Sequence, residues 1–440
     1  MIGNKLKKLM SIMLVLNMAL GLCACNIANE LREDISNRMD INTTTISSQE
    51  IIRHIIDAVN DDDKMADSYS CIPENQLDGV TYSMYFEYIN ILRGMTSQYG
   101  KSITYFKMVP SSEVKGIVGT NLFTLYPGLI CAELQMSDAS GNAVSFEDPI
   151  YIFLVENNEV AALSNRWISG IIDIYNYGDH YMTMIDEQNI DGVFALLEPG
   201  YSENYAEAVV KSMANSLIEY YKIDVKSSRE QYRIVTLVPN RYVIRIPETI
   251  SSEGEYIDHF VEITKESSNT YHIDDVLPFV VEPSMFNVYM TGNVSDMGAI
   301  RVGNFYARES IIFALGNPKY EFFVNDDLIY EEVGEGDELE VIPMKRTVMM
   351  HKNIVFIFYA QEFSDSWEGY LNKITITGEE YYIGDDIHVG MSKTELLIKY
   401  PFMDIYGYEH VYTDETGAFI IEFVFDEDDI LTEINLSKEL

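Results

Sequence analysis

The chain has 440 residues, with 70 acidic against 30 basic side chains and a formal net charge of −40 at pH 7. That charge repels phosphate backbones and anionic headgroups, whose binding depends on Lys and Arg, so no nucleic-acid partner is expected. Apolar residues make up 47% of the chain, enough for real cores, and the length exceeds what one core ordinarily serves, which predicts two to four domains.

The chain opens on Lys5, Lys7 and Lys8, followed by a mostly apolar run from Leu9 to Leu22 that Ser11, Asn17 and Gly21 interrupt. Such a run falls short of the ~20 apolar residues that a bilayer-spanning helix needs. A positive start, a short apolar core and a small residue before a cut site are the layout of a signal peptide. The stretch Leu22-Cys23-Ala24-Cys25 resembles the lipobox of bacterial lipoproteins, with Leu22 at −3, the small Ala24 at −1 and Cys25 at +1. The resemblance implies a signal peptide over 1–24 and lipidation of Cys25 with two or three acyl chains of the palmitate kind. It also implies an extracytoplasmic protein, lipid-anchored to the cell membrane. At ~0.8 kcal/mol per buried CH₂, two chains hold a protein stably on a bilayer. An ordinary secretory signal with an incidental Cys25 is the alternative. No later run is apolar over the ~18 residues of a transmembrane segment. Abundant Ile, Tyr and Asn suggest an AT-rich genome and a low-GC Gram-positive cell.

Residues 25–47 are polar with little apolar periodicity and read as a flexible lipidated tether. Ser47-Ser48-Gln49-Glu50 is a capping-box pattern, and Ile51, Ile52, Ile55, Ile56 and Val59 form the apolar stripe of the helix behind it. A second helix is predicted over 79–95. The period then changes: 103–109, 122–125, 130–136 and 149–155 read as strands between Pro and Gly turns, with a hairpin turn at Asn157-Asn158. The order recurs, with helices over 167–177, 190–197 and 205–221, then strands over 232–238, 242–246, 256–264 and 270–273. Cys131-Ala132-Glu133-Leu134 matches Val243-Ile244-Arg245-Ile246, and Asp148-Pro149-Ile150-Tyr151-Ile152 matches Asp258-His259-Phe260-Val261-Glu262. The fold class read from this order is α+β, with two tandem domains, 48–164 and 165–282, each packing helices on a curved antiparallel sheet. In element order each resembles the cone-shaped fold of nuclear transport factor two-like proteins.

A third region, from about residue 283, carries a clearer repeat. Gly298-Ala299-Ile300-Arg301-Val302-Gly303 precedes an apolar helix at 311–315 and Gly316-Asn317-Pro318. Gly384-Asp385-Asp386-Ile387-His388-Val389-Gly390 precedes a capping box, Ser392-Lys393-Thr394-Glu395, then Leu396, Leu397 and Pro401. Strands are predicted near 328–331, 354–359 and 371–377 in the first copy, and over 410–413, 419–425 and 431–436 in the second. The second motif is similar to the SmpA/OmlA small lipoprotein and β-lactamase-inhibitor-like group. The resemblance divides the region into copies 283–383 and 384–440, each a helix followed by three or four strands. The first copy departs from the pattern by four extra residues between Gly303 and its helix and by a charged insertion around 331–340. Members of that group bind proteins or scaffold assemblies, which implies a binding role, although fold alone does not fix function.

Chemistry is sparse. The chain has no nucleophile elbow, His-Glu-x-x-His, P-loop, Cys-x-x-Cys or dinucleotide fingerprint. The seven histidines are isolated, and His272 beside Asp274 and Asp275 is the nearest thing to a cluster. Asp179-His180 reads as a helix start. No metal, cofactor or catalytic residue is assigned. Asp61-Asp62-Asp63 and Asp426-Glu427-Asp428-Asp429 read as solvated turns. Cys71 and Cys131 are the pair a disulfide outside the cytoplasm would join, with buried free thiols as the other reading. Tyr82, Tyr85, Phe86 and Tyr88 belong either to a core or to the lining of a pocket inside the cone. The leading functional expectation is a non-catalytic, membrane-anchored binding or scaffolding protein whose partner is an envelope or surface protein with a basic face. The alternatives are a small-molecule or peptide receptor using an apolar pocket in an N-terminal domain and, behind it, an envelope hydrolase.

Overall fold

Helix α1 (Ser48–Asn60) starts on the capping box read from the sequence: the Ser47 hydroxyl accepts from the Glu50 N–H, and the Glu50 carboxylate accepts from the Ser47 N–H. The chain is fixed just before it, because the buried Gln76 side chain exchanges two 2.8 Å hydrogen bonds with the backbone of Ile46 and donates a third to Ala161 O. The computed structural model describes residues 45–222, 232–250, 255–266, 269–290, 299–333, 340–360 and 366–439. The lipidation candidate Cys25, the signal peptide and most of the tether lie outside these residues. The described chain is α+β. It divides into two compact units, one holding the residues up to Gly200 with Ile218–Asp275, the other Tyr201–Leu217 with Val276–Leu440.

The first unit contains both helix-then-sheet halves. Its first half runs α1, α2 (Met65–Cys71), α3 (Glu74–Leu77), α4 (Tyr82–Ser97), β1 (Tyr105–Met108), α5 (Ser111–Val118), α6 (Thr120–Leu125), β2 (Leu129–Ser137), β3 (Ala143–Ser145), β4 (Tyr151–Asn157) and β5 (Val160–Ala162). The strand expected at 122–125 is helical. Gly119, at φ +83°, ends α5 and α6 follows at once, and an apolar run of four cannot reveal its period. The second half begins with α7 (Asn165–Asp186), capped by Ser164, and α8 (Ile190–Tyr201). Asp179 and His180 therefore lie inside a helix rather than at its start. Beyond α9 (Glu207–Tyr220), of which only the last turn from Ile218 belongs to this unit, β6 (Arg233–Val238), β7 (Arg241–Ile250), β8 (Glu255–Lys265) and β9 (Tyr271–Asp274) form an antiparallel meander.

The internal match holds with one adjustment of register. Ala132 pairs with Ile152 across β2 and β4, and Ile244 pairs with Val261 across β7 and β8. Ile152 thus corresponds to Val261, one residue earlier than its sequence match to Glu262, and Ile150 corresponds to His259. At that one position an apolar core residue is exchanged for an imidazole.

The second unit is built on a duplication. Its elements are β10 (Asn287–Met290), β11 (Ile300–Arg301), β12 (Phe305–Ala307), α10 (Arg308–Leu315), β13 (Tyr320–Val333), β14 (Glu340–His351), β15 (Ile354–Ala360) and β16 (Glu368–Ile376), then β17 (Tyr381–Ile383), β18 (Ile387–His388), α11 (Lys393–Lys399), β19 (Glu409–Asp414), β20 (Gly417–Phe425) and β21 (Leu431–Lys438). The second copy thus begins at β17, just before the sequence boundary at 384. Gly303 and Gly390, matched in the sequence, both adopt positive φ, at +86° and +93°, where a Cβ would be strained. Each donates its N–H to a leucine carbonyl, Leu371 at 2.7 Å and Leu431 at 2.8 Å. Both copies carry a register shift at the same place, before Phe358 and before Phe425.

Equivalent strands of the two copies pair with each other antiparallel, β10 with β17 and β16 with β21, as a local twofold axis requires. Thr375 and Asn435, equivalent by register, face each other on that axis and share a 2.8 Å side-chain hydrogen bond. The result is one sheet in the order β13-β14-β15-β16-β21-β20-β19, with β12 on β16. The first copy's extra residues after Gly303 form β12, and β13 is an additional strand at the sheet edge; most of the charged insertion lies outside the described residues.

Candidate functional site

The residues singled out in the sequence are scattered by the fold. Cys71 is exposed at the end of α2, whereas Cys131 is completely buried on β2, so the disulfide considered between them is not formed and both thiols are free. Burial, together with the Glu133 charge, pushes the Cys131 thiol far above its ordinary range, which makes it inert. Tyr85 and Tyr88 are core residues, and Phe86 points outward. Tyr88 lines an apolar cavity of about 60 Å³ with Leu92, Met95 and Phe153, well below the ~300 Å³ of a ligand pocket. Among the described residues no group of three His, Cys, Asp or Glu side chains could hold a metal ion. No helix there is long and apolar enough to cross a membrane.

One polar cluster went unread in the sequence. Asp275 is fully buried and accepts hydrogen bonds on Oδ2 from Tyr181 (2.7 Å) and Tyr221 (2.9 Å), while His259 Nε2 lies 2.7 Å from Oδ1. Its partner is His259 rather than the adjacent His272. Burial and then the Asp275 charge hold the Tyr221 phenol well above its usual pKa, so it stays a donor. The two phenols and the imidazole satisfy both oxygens of this buried side chain. The cluster ties α7 and β8 to the residues that directly follow α9 and β9.

An open cleft of about 1150 Å³ lies elsewhere in the first unit. Arg166, Ser169, Gly170 and Asp173 face it at helical spacing i, i+3, i+4, i+7 along α7. Opposite stand α6 with Asn121 and Thr124, the β6–β7 turn with Pro239 and Asn240, and the β8–β9 connection with Lys265, Glu266 and Asn269. Gly170 is needed for this geometry: a Cβ there would meet the Pro239 Cβ at 2.6 Å.

The second unit presents a surface. Alternate residues of the long sheet face inward and outward. The inward row Glu321–Met349–Phe356–Ile374–Leu436–Ile421–His410 is closed, with every member from Met349 to His410 buried. At its edge Glu321 accepts a forked pair of bonds from Arg308 and one from Trp367 Nε1 at 2.8 Å; these hold its carboxyl below the usual range. The outward rows change character midway. One reads Tyr320–Met350–Val355 and then Thr375–Asn435–Glu422–Glu409; the next reads Phe322–Val348–Ile357 and then Lys373–Ser437–Ile420–Val411. The first copy's half is therefore apolar and aromatic, and the second copy's half is mostly polar. Tyr320 (58%), Phe322 (45%), Tyr370 (40%) and Phe305 (52%) are exposed there, the last two edge-to-face at 5.0 Å. Phe313 on α10 is 80% exposed. Each strand's alternation was visible in the sequence, but which copy's outer face lacked polar residues required the pairing register.

No protein-family model matches the chain, and no curated protein and no solved structure is significantly similar to it.

Proposed function

We propose that the chain is a membrane-anchored extracytoplasmic lipoprotein that binds a protein partner through the aromatic half of its long sheet. The observation that carries the binding role is that half-face: Tyr320, Phe322, Tyr370 and Phe305 stand exposed on it, with Val348 and Ile357 between them. Exposed aromatic residues are the usual anchors of a protein interface. The partner has a basic rim around an apolar centre, because the net charge of −40 disfavours any acidic surface. The lipobox-like Leu22-Cys23-Ala24-Cys25 supports the anchor, with Cys25 as the lipidated residue and the partner in or on the cell envelope. The resemblance of the second motif to the SmpA/OmlA group supports a binding rather than a catalytic role.

A pull-down from envelope extracts with the full chain in detergent tests the reading. A partner should be retained at low salt, weakened at high salt, and lost with Phe322→Glu but not with Thr375→Glu on the polar half. Absence of any retained protein at either salt, or equal retention by both variants, rejects it. Cys25→Ala should release the protein to the soluble fraction or leave an uncleaved precursor. Normal processing with unchanged membrane retention would reject the anchor.

A further inference from the structure

We infer that the cleft of the first unit is a second binding site, for a short peptide held by its terminal carboxylate at Arg166. The inference does not depend on the sheet surface of the second unit. In a chain where acids outnumber bases by 70 to 30, four of the described arginines are ion-paired: Arg93 to Asp62, Arg241 to Glu262, Arg245 to Glu147 and Asp148, Arg308 to Glu321. Arg166 is exposed and has no carboxylate partner among the described residues. Its guanidinium stands 5.2 Å from the Tyr126 ring, which is itself edge-on to Trp167. A guanidinium in a cleft with no carboxylate of its own is a fork for an incoming one.

The far end of the cleft carries two carboxylates, Asp173 and Glu266, beside one ammonium, Lys265. Asp173, seven residues along the same helix face, lies ~10 Å from Arg166. It is bound by the Lys265 ammonium and by the Tyr271 hydroxyl at 2.5 Å, and it faces the same space as Glu266. Burial works to raise the Asp173 pKa, but these two bonds hold it below the ordinary value, so it stays anionic. An extended chain rises ~3.3 Å per residue, so three residues span the distance between a carboxylate at Arg166 and an ammonium near Asp173 and Glu266. The walls between are amide and hydroxyl groups, Asn121, Thr124, Ser169 and Asn240, which can both donate to and accept from a peptide backbone. Leu125, 48% exposed at the edge, offers apolar contact to a side chain. A free amino acid is too short to reach both poles, and a polyol would leave Arg166 without an anion.

The test presents an equimolar library of free tripeptides to the full chain in detergent, with bound species identified by mass spectrometry. A C-terminally amidated library and Arg166→Gln are the comparisons. Free tripeptides should be enriched at least tenfold over their amides, and Arg166→Gln should remove that preference. Arg166 is exposed, and an unchanged circular dichroism spectrum would show that the variant folds. No enrichment of any free tripeptide by the natural chain overturns the inference, as does equal enrichment of the amides or a preference that survives Arg166→Gln.

Discussion

The Asp275 cluster makes a sharp prediction because one acceptor serves several donors. Tyr221→Phe removes a 2.9 Å hydrogen bond to a buried carboxylate. Hydrogen bonds to charged groups are worth ~1.5–3 kcal/mol. Asp275 keeps Tyr181 on Oδ2 and His259 on Oδ1, so the loss should fall near the lower end, about 1.5 kcal/mol. Tyr181→Phe should cost a similar amount. The double variant takes both tyrosine donors from Oδ2, so its cost should exceed the sum by ~0.5 kcal/mol or more. Asp275→Ala, which removes the shared acceptor from all three groups, should cost roughly 3 kcal/mol or more. Tyr88→Phe is the internal control: its hydroxyl is buried with no hydrogen-bond partner, so losing it should be neutral or slightly stabilising. The molecule supplies its own reporters. Trp167 is buried in the first unit and Trp367 in the second, so Trp367→Phe leaves a chain whose fluorescence follows the first unit alone. Urea unfolding of the variants in that background gives the differences. Equal effects of Tyr221→Phe and Tyr88→Phe, or a double variant that is merely additive, would refute the shared-acceptor account.

Further expectations concern the second unit and the thiols. His351 and His410 occupy equivalent positions of the two copies, each beside an equivalent phenylalanine (Phe356, Phe423), and each has a buried Nε2 without a hydrogen-bond partner. Burial lowers both below the ordinary 6.5. The unfolded chain then binds more protons below pH ~6.5, so stability is full above that pH and falls as pH drops towards the folded values, by up to ~1.4 kcal/mol per pH unit per histidine. Urea midpoints followed by Trp367 between pH 7.5 and 5 should decline, and His351→Leu with His410→Leu should flatten the decline. Glu321→Gln, which breaks the fork with Arg308, should cost ~2 kcal/mol at pH 7; because the folded carboxyl is depressed, that difference should shrink as pH falls below ~4.3. In the native protein Cys71 should react with a maleimide within minutes, whereas Cys131 should be labelled only on unfolding. Prompt labelling of both thiols would contradict the burial of Cys131.

Local rules of sequence explain the elements, and register explains the rest. The capping boxes at Ser47 and Ser392 are both formed, because their four residues carry the whole signal. The repeat around Gly303 and Gly390 was legible because a positive φ constrains the residue type in both copies. The run 122–125 was misread because it is too short to show a period. Asp275 was legible only as a neighbour of His272; its real partners stand 94, 54 and 16 residues away, and no spacing rule connects them. The cleft draws its walls from four separate segments of the first unit, so Arg166 looked like any surface arginine. The outward face of the sheet was hidden for a related reason. Phe322, Val348 and Ile357 become one row only once three strands are aligned.

The twofold pairing of the two copies has a consequence for stoichiometry. Two separate chains with β10, β16, β17 and β21 pairing of this kind would form an isologous dimer, and every surface feature would occur twice. Fusion removes that constraint. After it, one copy can acquire β12, β13 and an aromatic outer face while its twin stays polar, because a change in one no longer forces the same change in the other. A symmetric ancestor would have displayed two patches on opposite sides of the axis. The fused chain displays one aromatic face, on the first copy alone.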